Sequence, residues 1–417
     1  MLVDSQTENP LGRAIVERAE LLAAHSDQPD ALTVTYLTPA HRAAAAQIAA
    51  WMREAGLQVQ VDAVGNVVGR YASADPEAKT LITGSHFDTV RNGGRFDGRL
   101  GILLPIVVVD DLRRRGERLP YHLEIVAFAE EEGVRFKSSF LASSALVGAF
   151  DMALLDRIDA DGVTMRAAMR AAGLPGDEAA IAALARDPAR LAAYIEVHIE
   201  QGPVLLDRGL PLGVVTSIAG SVRMSATVTG VASHAGTTPM PMRRDAAAAA
   251  AEMILAIERR CSQAPTLIGT VGMVGVPNGA ANVVPGRCEF SIDIRAGDDA
   301  TRDAAVDDVV RELNAIARRR GVALDLAQTM RVPCAPCSPR LMDLLEQCIA
   351  RAGAAPLRLP SGAGHDAMIL QRVTEVCMLF VRCGDGGISH NPRETMTVED
   401  AELAARVFLD FVRTFRP

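Results

Sequence analysis

The sequence predicts an α/β protein whose main domain carries a mixed, largely parallel sheet and which is interrupted by an inserted ferredoxin-like βαββαβ domain. Three observations predict it. Short apolar runs alternate with helix-length segments over the first 130 residues. Near residue 215 the texture changes to alternating strands and two long helices, and from about 331 the α/β texture returns. A chain of 417 residues has room for two such domains.

The first helix signal is Thr38-Pro39 ahead of AHRAAAAQIAAWMREAG, an N-cap with proline at the first helical position and Gly56 at the close. LQVQVDAVGNVVGRY then alternates and turns at Gly65-Asn66, as a hairpin does. TLITGSH and LEIVAFAE are short apolar runs suited to buried strands, and GRLGILLPIVVVDDLRRRG between them has helical length. Strand, helix, strand is the unit of a parallel sheet. An alanine-rich stretch from about 163 to 192 reads as helix and AAYIEVHIEQG as another buried strand. From 215 to 330 the order is SVRMSATVTGVAS, DAAAAAAEMILAIERRC, LIGTVGMVGV, NVVPGRCEFSIDIRA, ATRDAAVDDVVRELNAIARRRG and VALDLAQTM, which is β-α-β-β-α-β. LMDLLEQCIARAG is helical, EVCMLFV a strand, and Thr397-x-x-Asp400 opens the last helix as a variant capping box. Residues 1–214 and 331–417 are thus expected to form one domain around the insertion.

Composition narrows the function classes. Hydrophobic residues are 49% and charged residues 23%, the balance of a folded protein with an ample core. The formal net charge of −8, from 43 Lys+Arg and 51 Asp+Glu, lacks the basic excess that a phosphate backbone requires, so no nucleic-acid partner is expected. MLVDSQTENPLGRA has no basic segment leading into an apolar one, and no apolar run of membrane-spanning length occurs, so no membrane partner and a cytoplasmic location are expected. Seven scattered cysteines do not form a disulfide framework, and the single pair Cys334-x-x-Cys337 lacks redox context.

Five of the eight histidines, His86, His198, His234, His365 and His390, fall in short polar segments flanked by glycine. GSHFDTVRNGGRFDG places His86 at a strand end, Asp88 two residues on to orient its ring, and Asp97 in a glycine-rich turn before a helix. AFAEEEGVRF ends a second strand with Glu130, Glu131 and Glu132, which either open a solvated loop or face a cation that offsets their repulsion. His198 ends a third strand, and His390 follows Gly-Asp-Gly-Gly-Ile-Ser. Strand ends of an open α/β sheet gather side chains at one edge. His86, Asp97, Glu132, His198 and His390 suffice to give each of two divalent ions three ligands if one carboxylate is shared.

Taken together, DAVGNVVGR, GSHFDTVRNGGRFDG, EEEGVRF, IEVHIEQGPVL, SHAGTTPM, PNGAANVVPG, DIR, SGAGHDA and ISHNPRE resemble, in order and over nearly the whole chain, the amidase, hydantoinase/carbamoylase family. That family is a branch of the dinuclear aminoacylase and carboxypeptidase group. The resemblance implies two divalent ions, of zinc, manganese, cobalt or nickel, with Asp97 bridging, His86 and His198 on one ion, and Glu132 and His390 on the other. It implies Glu131 as general base, His234 as the group that polarises the scissile carbonyl, Asn282 as a substrate hydrogen-bonding group and Arg295 as a clamp on a substrate carboxylate. Gln201, Gly362, Gly364 and His365 are implied as the rest of the pocket. The inserted domain is implied to be a lid and the surface of a homodimer. The implied reaction is hydrolysis of the ureido C–N bond of an N-carbamoyl-L-amino acid. Allantoate is the alternative substrate, and N-carbamoyl-β-alanine or the acyl and dipeptide substrates of the wider group are less favoured. GxSxG and GxxxxGK[ST] are both absent, which speaks against a serine hydrolase and a P-loop protein.

Overall fold

In the computed structural model, residues 9–417 are described; the expectation placed on the first eight, MLVDSQTE, lies outside them. The chain divides into two compact units. One takes the chain up to Thr216 together with 337–359 and 364–417, and the other takes 217–336 with 360–363.

The first unit begins with α1 (Pro10–Ala23), a helix that the sequence reading did not single out, and α2 (Pro39–Glu54). Thr38 caps α2 by accepting from the His41 N–H at 3.3 Å, and Pro39 takes the position where no N–H is needed. The hairpin β1 (Gln58–Val61) and β2 (Val67–Tyr71) is antiparallel, its turn closed by Asp62, which accepts from the N–H groups of Val64 and Asn66. β3 (Thr80–His86), α3 (Leu100–Arg114) and β4 (His122–Phe128) form the expected crossover, with β3 and β4 parallel from Thr80 opposite His122 to His86 opposite Phe128. β5 (Leu191–Ile199) and the strand Val376–Val381 extend this parallel core, and the strand Leu212–Ile218 runs antiparallel to it. The sheet order is β1, β2, β4, β3, β5, Val376–Val381, Leu212–Ile218. β4 and Val376–Val381 are buried along their whole length, which explains why the second reads as an unbroken apolar run and the first as one interrupted only by His122 and Glu124.

Two elements depart from the sequence reading. The alanine-rich stretch from 163 to 192 is not one helix: it breaks into Met165–Ala171 and Glu178–Ala182, because Gly173-Leu-Pro-Gly176 intervenes with both glycines at positive φ. At the last helix, Val398–Thr414, only half of the capping box forms. Thr397 accepts from the Asp400 N–H, but the Asp400 carboxylate pairs with Arg382 at 2.9 and 3.0 Å.

The second unit is an antiparallel sheet with two helices on one face. Gly220–Thr229 lies at its centre between Arg287–Ala296 and Ala323–Val332, and Leu267–Thr270 and Val274–Gly275 both pair with Arg287–Ala296. Helices Ala246–Cys261 and Asp299–Arg320 cover the face on which Val222, Met224, Ala226, Phe290, Ile292 and Ile294 are buried. The third and fourth apolar runs are each interrupted, the fourth at Pro285-Gly286, so Val283–Val284 turns away to pair with Ser233–His234. No helix of the described residues is long and apolar enough to cross a membrane, and none of the seven cysteines is in a disulfide among the described residues.

Candidate metal centre

Four strand ends meet at one edge of the large sheet. β3 ends in His86, β4 is followed within two residues by Glu130, β5 carries His198 one residue before its end, and Val376–Val381 leads on to His390. The turn between β3 and α3 adds Asp97. That turn is possible because residue 98 is glycine: its φ is +66°, and a Cβ there would lie 2.5 Å from His86 Nε2.

The histidines are oriented by backbone. His86 Nδ1 is 3.1 Å from the Asp88 main-chain oxygen and His198 Nδ1 is 2.8 Å from that of Ile199. A ring nitrogen facing a carbonyl carries the proton, which leaves Nε2 of each ring with its lone pair. Both Nε2 atoms face Asp97 Oδ1, at 3.7 and 3.4 Å. The other carboxylate oxygen, Oδ2, lies 3.1 Å from His390 Nε2, which is itself 3.6 Å from Glu132 Oε1. Asp97 therefore presents one oxygen to the pair His86 and His198 and the other to His390 and Glu132, and each triad keeps its ligand atoms within 4.8 Å of one another. Here the Asp88 assignment needs correcting. Its carboxylate accepts from the N–H groups of Glu131 and Glu132 at 3.0 and 3.1 Å, so the ring of His86 is held chiefly by the Asp88 carbonyl, with Oδ1 at 3.4 Å.

The three glutamates do not open a solvated loop. Glu130 and Glu131 are buried, and Glu132 Oε1 and both Glu130 oxygens have no hydrogen-bond partner. Burial pushes the Glu131 and Glu130 carboxyls well above the usual carboxylate range, with neighbouring carboxylates adding to it, and it pushes Glu132 up to about 7. Burial also opposes ionisation of Asp97, but the His390 hydrogen bond and the rings of His86 and His198 hold it below that range. Arg99, wholly buried, adds one positive charge near Asp88, Asp97 and Glu394, and its Nε and Nη1 have no partner. Orphaned carboxylate oxygens beside two lone-pair imidazole nitrogens are a donor set that fits divalent cations of borderline character.

Behind these residues stands a second layer, in which Gln201, Gly364 and His365 were expected as pocket residues and Glu196 and Glu394 were missed by the sequence reading. Glu196 accepts from Ser85 Oγ at 2.7 Å, the Ala367 N–H at 3.0 Å and Tyr194 Oη at 3.1 Å, so it braces β3 against β5 with its oxygens already satisfied. His365 is buried behind His198, ring centroids 4.5 Å apart; its neighbour Gly364 packs against the Phe140 ring. Gln201, at φ +56°, donates from Nε2 to Asp97 Oδ1 at 3.1 Å. Glu394 accepts from the N–H groups of Phe96 and Asp97 and from Ser389 Oγ. Nothing in its segment, ISHNPRE, marks it in sequence except proximity to His390.

The remaining residues belong to the second unit. Its short ladder sets His234 opposite Val283, next to Asn282, whose carbonyl accepts from the Ala235 N–H. His234 Nδ1 accepts from the Gly236 N–H at 3.1 Å, which leaves Nε2 of this exposed ring as the protonated, donating nitrogen. Arg295 is engaged within its own unit: Nε and Nη2 donate to Asp293 at 3.1 and 3.0 Å and Nη1 to the Gly362 carbonyl at 2.8 Å.

The chain belongs to Peptidase family M20/M25/M40, matched over residues 82–414, and within it to the hydantoinase/carbamoylase amidases. It is 39% identical over 397 residues to an N-carbamoyl-L-amino acid amidohydrolase of Geobacillus stearothermophilus, covering 95% of this chain and 96% of that one. It is 35% identical to an allantoate amidohydrolase of Bacillus subtilis (strain 168), covering 87% of each. The crystal structure of an amidase of the hydantoinase/carbamoylase family from Burkholderia multivorans superposes with a TM-score of 0.90 at 34% identity, over 97% of each chain.

Proposed function

We propose that the protein is a two-ion amidohydrolase that cleaves the ureido C–N bond of N-carbamoyl-L-amino acids, giving the amino acid, carbon dioxide and ammonia. The observation that carries this reading is the division of labour at Asp97, whose two oxygens face two separate His-containing sets. His86, Asp97 and His198 would hold one ion and Asp97, Glu132 and His390 the other. Divalent ions bound there supply Lewis-acid polarisation of a carbonyl and a water that ionises near neutral pH. Glu131 lies within reach of the same cluster but is left out of both sets. A carboxylate beside the ions that is not consumed as a ligand can take a proton from the attacking water and deliver it to the leaving nitrogen. His234, with Nε2–H as donor, stabilises the oxygen that gains charge at the ureido carbonyl, and Asn282 binds alongside. Arg295 has the planar fork that a substrate carboxylate requires, and Asp293 and the Gly362 carbonyl hold that fork in place. Gln201 fixes Asp97, while Gly362, Gly364 and His365 shape the surroundings.

Similarity to the Bacillus subtilis protein gives allantoate as a second reading, since that substrate also joins a ureido group to a carboxylate. Ammonia release from metal-reconstituted protein against N-carbamoyl-L-amino acids, N-carbamoyl-β-alanine, allantoate and N-acetyl amino acids tests the assignment. Turnover of carbamoylated amino acids is expected; turnover of allantoate alone moves the assignment to the second reading, and turnover of acetylated compounds alone overturns both. Exposed Leu255, Ile268, Met273 and Val274 on the second unit support a homodimer through this unit. Seven cysteines, none of them in a disulfide among the described residues, support a reducing, cytoplasmic setting.

A further inference from the structure

Glu394 touches neither set of ligand atoms, yet it joins the two loops that carry them. Its Oε1 accepts from the N–H groups of Phe96 at 2.8 Å and Asp97 at 3.1 Å, and its Oε2 accepts from Ser389 Oγ at 2.7 Å. Ser389 is the residue before His390, and Ser389 Oγ also lies 3.4 Å from Gln201 Nε2, which donates to Asp97 Oδ1 at 3.1 Å. One carboxylate therefore ties the backbone of the shared ligand to the loop of the ligand on its far side. The site is built to admit it: a Cβ at Gly94 would lie 2.1 Å from the Glu394 carboxyl group, and Glu394 is 2% exposed.

The two triads differ in how much they need such a tie. His86 and His198 sit at the ends of paired strands with their Nδ1 atoms on main-chain carbonyls. His390 lies outside any strand, has a backbone φ of +54°, and keeps 49% of its side chain exposed. Its approach to Asp97 depends on loop contacts, and the contact through Ser389 and Glu394 is the one that reaches the Asp97 backbone.

We propose that Glu394 is a positioning residue that fixes the spacing between Asp97 and His390 and thereby governs retention of the second ion, the one assigned to Asp97, Glu132 and His390. This rests on the two-ion reading above. Partners that hold ligands in place are typically worth 10- to 100-fold in metal affinity.

The test is zinc stoichiometry by elemental analysis after dialysis, with affinities from chelator competition, on wild type, Glu394→Ala, Glu394→Gln and Ser389→Ala, each checked for folding by circular dichroism. Wild type is expected to retain two ions. Glu394→Ala keeps the first with unchanged affinity and binds the second about 10- to 100-fold more weakly. Glu394→Gln retains both, because its amide oxygen still accepts from the two N–H groups and its NH₂ can donate to Ser389 Oγ. Should Glu394→Ala fail to fold, Ser389→Ala decides instead, with an expected loss of about 10-fold at the second ion only. Wild-type affinity for both ions in Glu394→Ala, or in Ser389→Ala where that variant decides, overturns the proposal while leaving the two-ion reading intact. Equal weakening of both ions also overturns it. A wild-type protein that retains only one ion refutes the two-ion reading and this proposal with it.

Discussion

Glu131 and Glu132 are adjacent in sequence, share the Asp88 carboxylate as acceptor for their backbone N–H groups, and differ in what their side chains meet. Glu132 Oε1 faces His390, whereas Glu131 is grouped with His86 and Glu132 but not with Asp97. A carboxylate at this place that serves as base and not as ligand can be neutralised in shape-conserving fashion. Glu131→Gln is expected to lower kcat by about 10²- to 10⁴-fold or more, while elemental analysis finds the wild-type metal content. Loss of the ions together with activity would make Glu131 a ligand. Of the residues assigned to the proposed ions, His86, Asp97, Glu132 and His198 were legible because they stand beside glycine or near the end of an apolar run and are shielded from solvent, whereas half-exposed His390 was marked only by the glycine-rich loop that precedes it. Glu394, Arg99 and Glu196 were not legible. Glu196 alternates with apolar residues along a buried strand, and Glu394 and Arg99 sit in turns whose long-range partners, nearly 300 residues away for Glu394, no local pattern specifies.

At the scale of elements, the first turn of α2 is pinned to the end of β4. His41 donates from Nε2 to the Ala129 carbonyl at 2.7 Å and packs its ring 4.5 Å from that of Phe87, so the peptide that precedes Glu130 cannot move without α2. Burial lowers the His41 pKa to about 4, against about 6.5 for an exposed imidazole. Between these values the unfolded chain binds a proton that the folded chain does not, so this group favours unfolding as pH falls from about 6.5 to about 4, by up to about 3 kcal/mol at the lower end. Thermal unfolding of wild type and His41→Gln between pH 7 and 4.5 checks this: the wild-type Tm is expected to fall more steeply with acid than that of the variant. Parallel slopes would remove His41 from the account. Element boundaries were legible wherever a period or a cap persisted, as in α2, β3, α3 and the helix Asp299–Arg320. They were missed where short-range breakers overrode composition, as at Gly173-Leu-Pro-Gly176, or where a strand changed partners, as at Pro285-Gly286.

For the whole molecule, the order of strands and helices predicted an α/β unit with an antiparallel insertion. The strand order of the second unit, with Gly220–Thr229 and Arg287–Ala296 adjacent at its centre, is that of a ferredoxin-like sheet. What composition and order left open was the pairing that brings β3, β4, β5 and Val376–Val381 side by side, because pairing is decided by tertiary packing. That adjacency converts five dispersed side chains into one centre. Anomalous diffraction from crystals of the zinc-reconstituted protein, measured at the metal edge, tests this centre most directly. Two peaks are expected, one on each side of the Asp97 carboxylate, with His86 and His198 around the first and Glu132 and His390 around the second. A single peak at full occupancy, or peaks away from Asp97, would contradict the account.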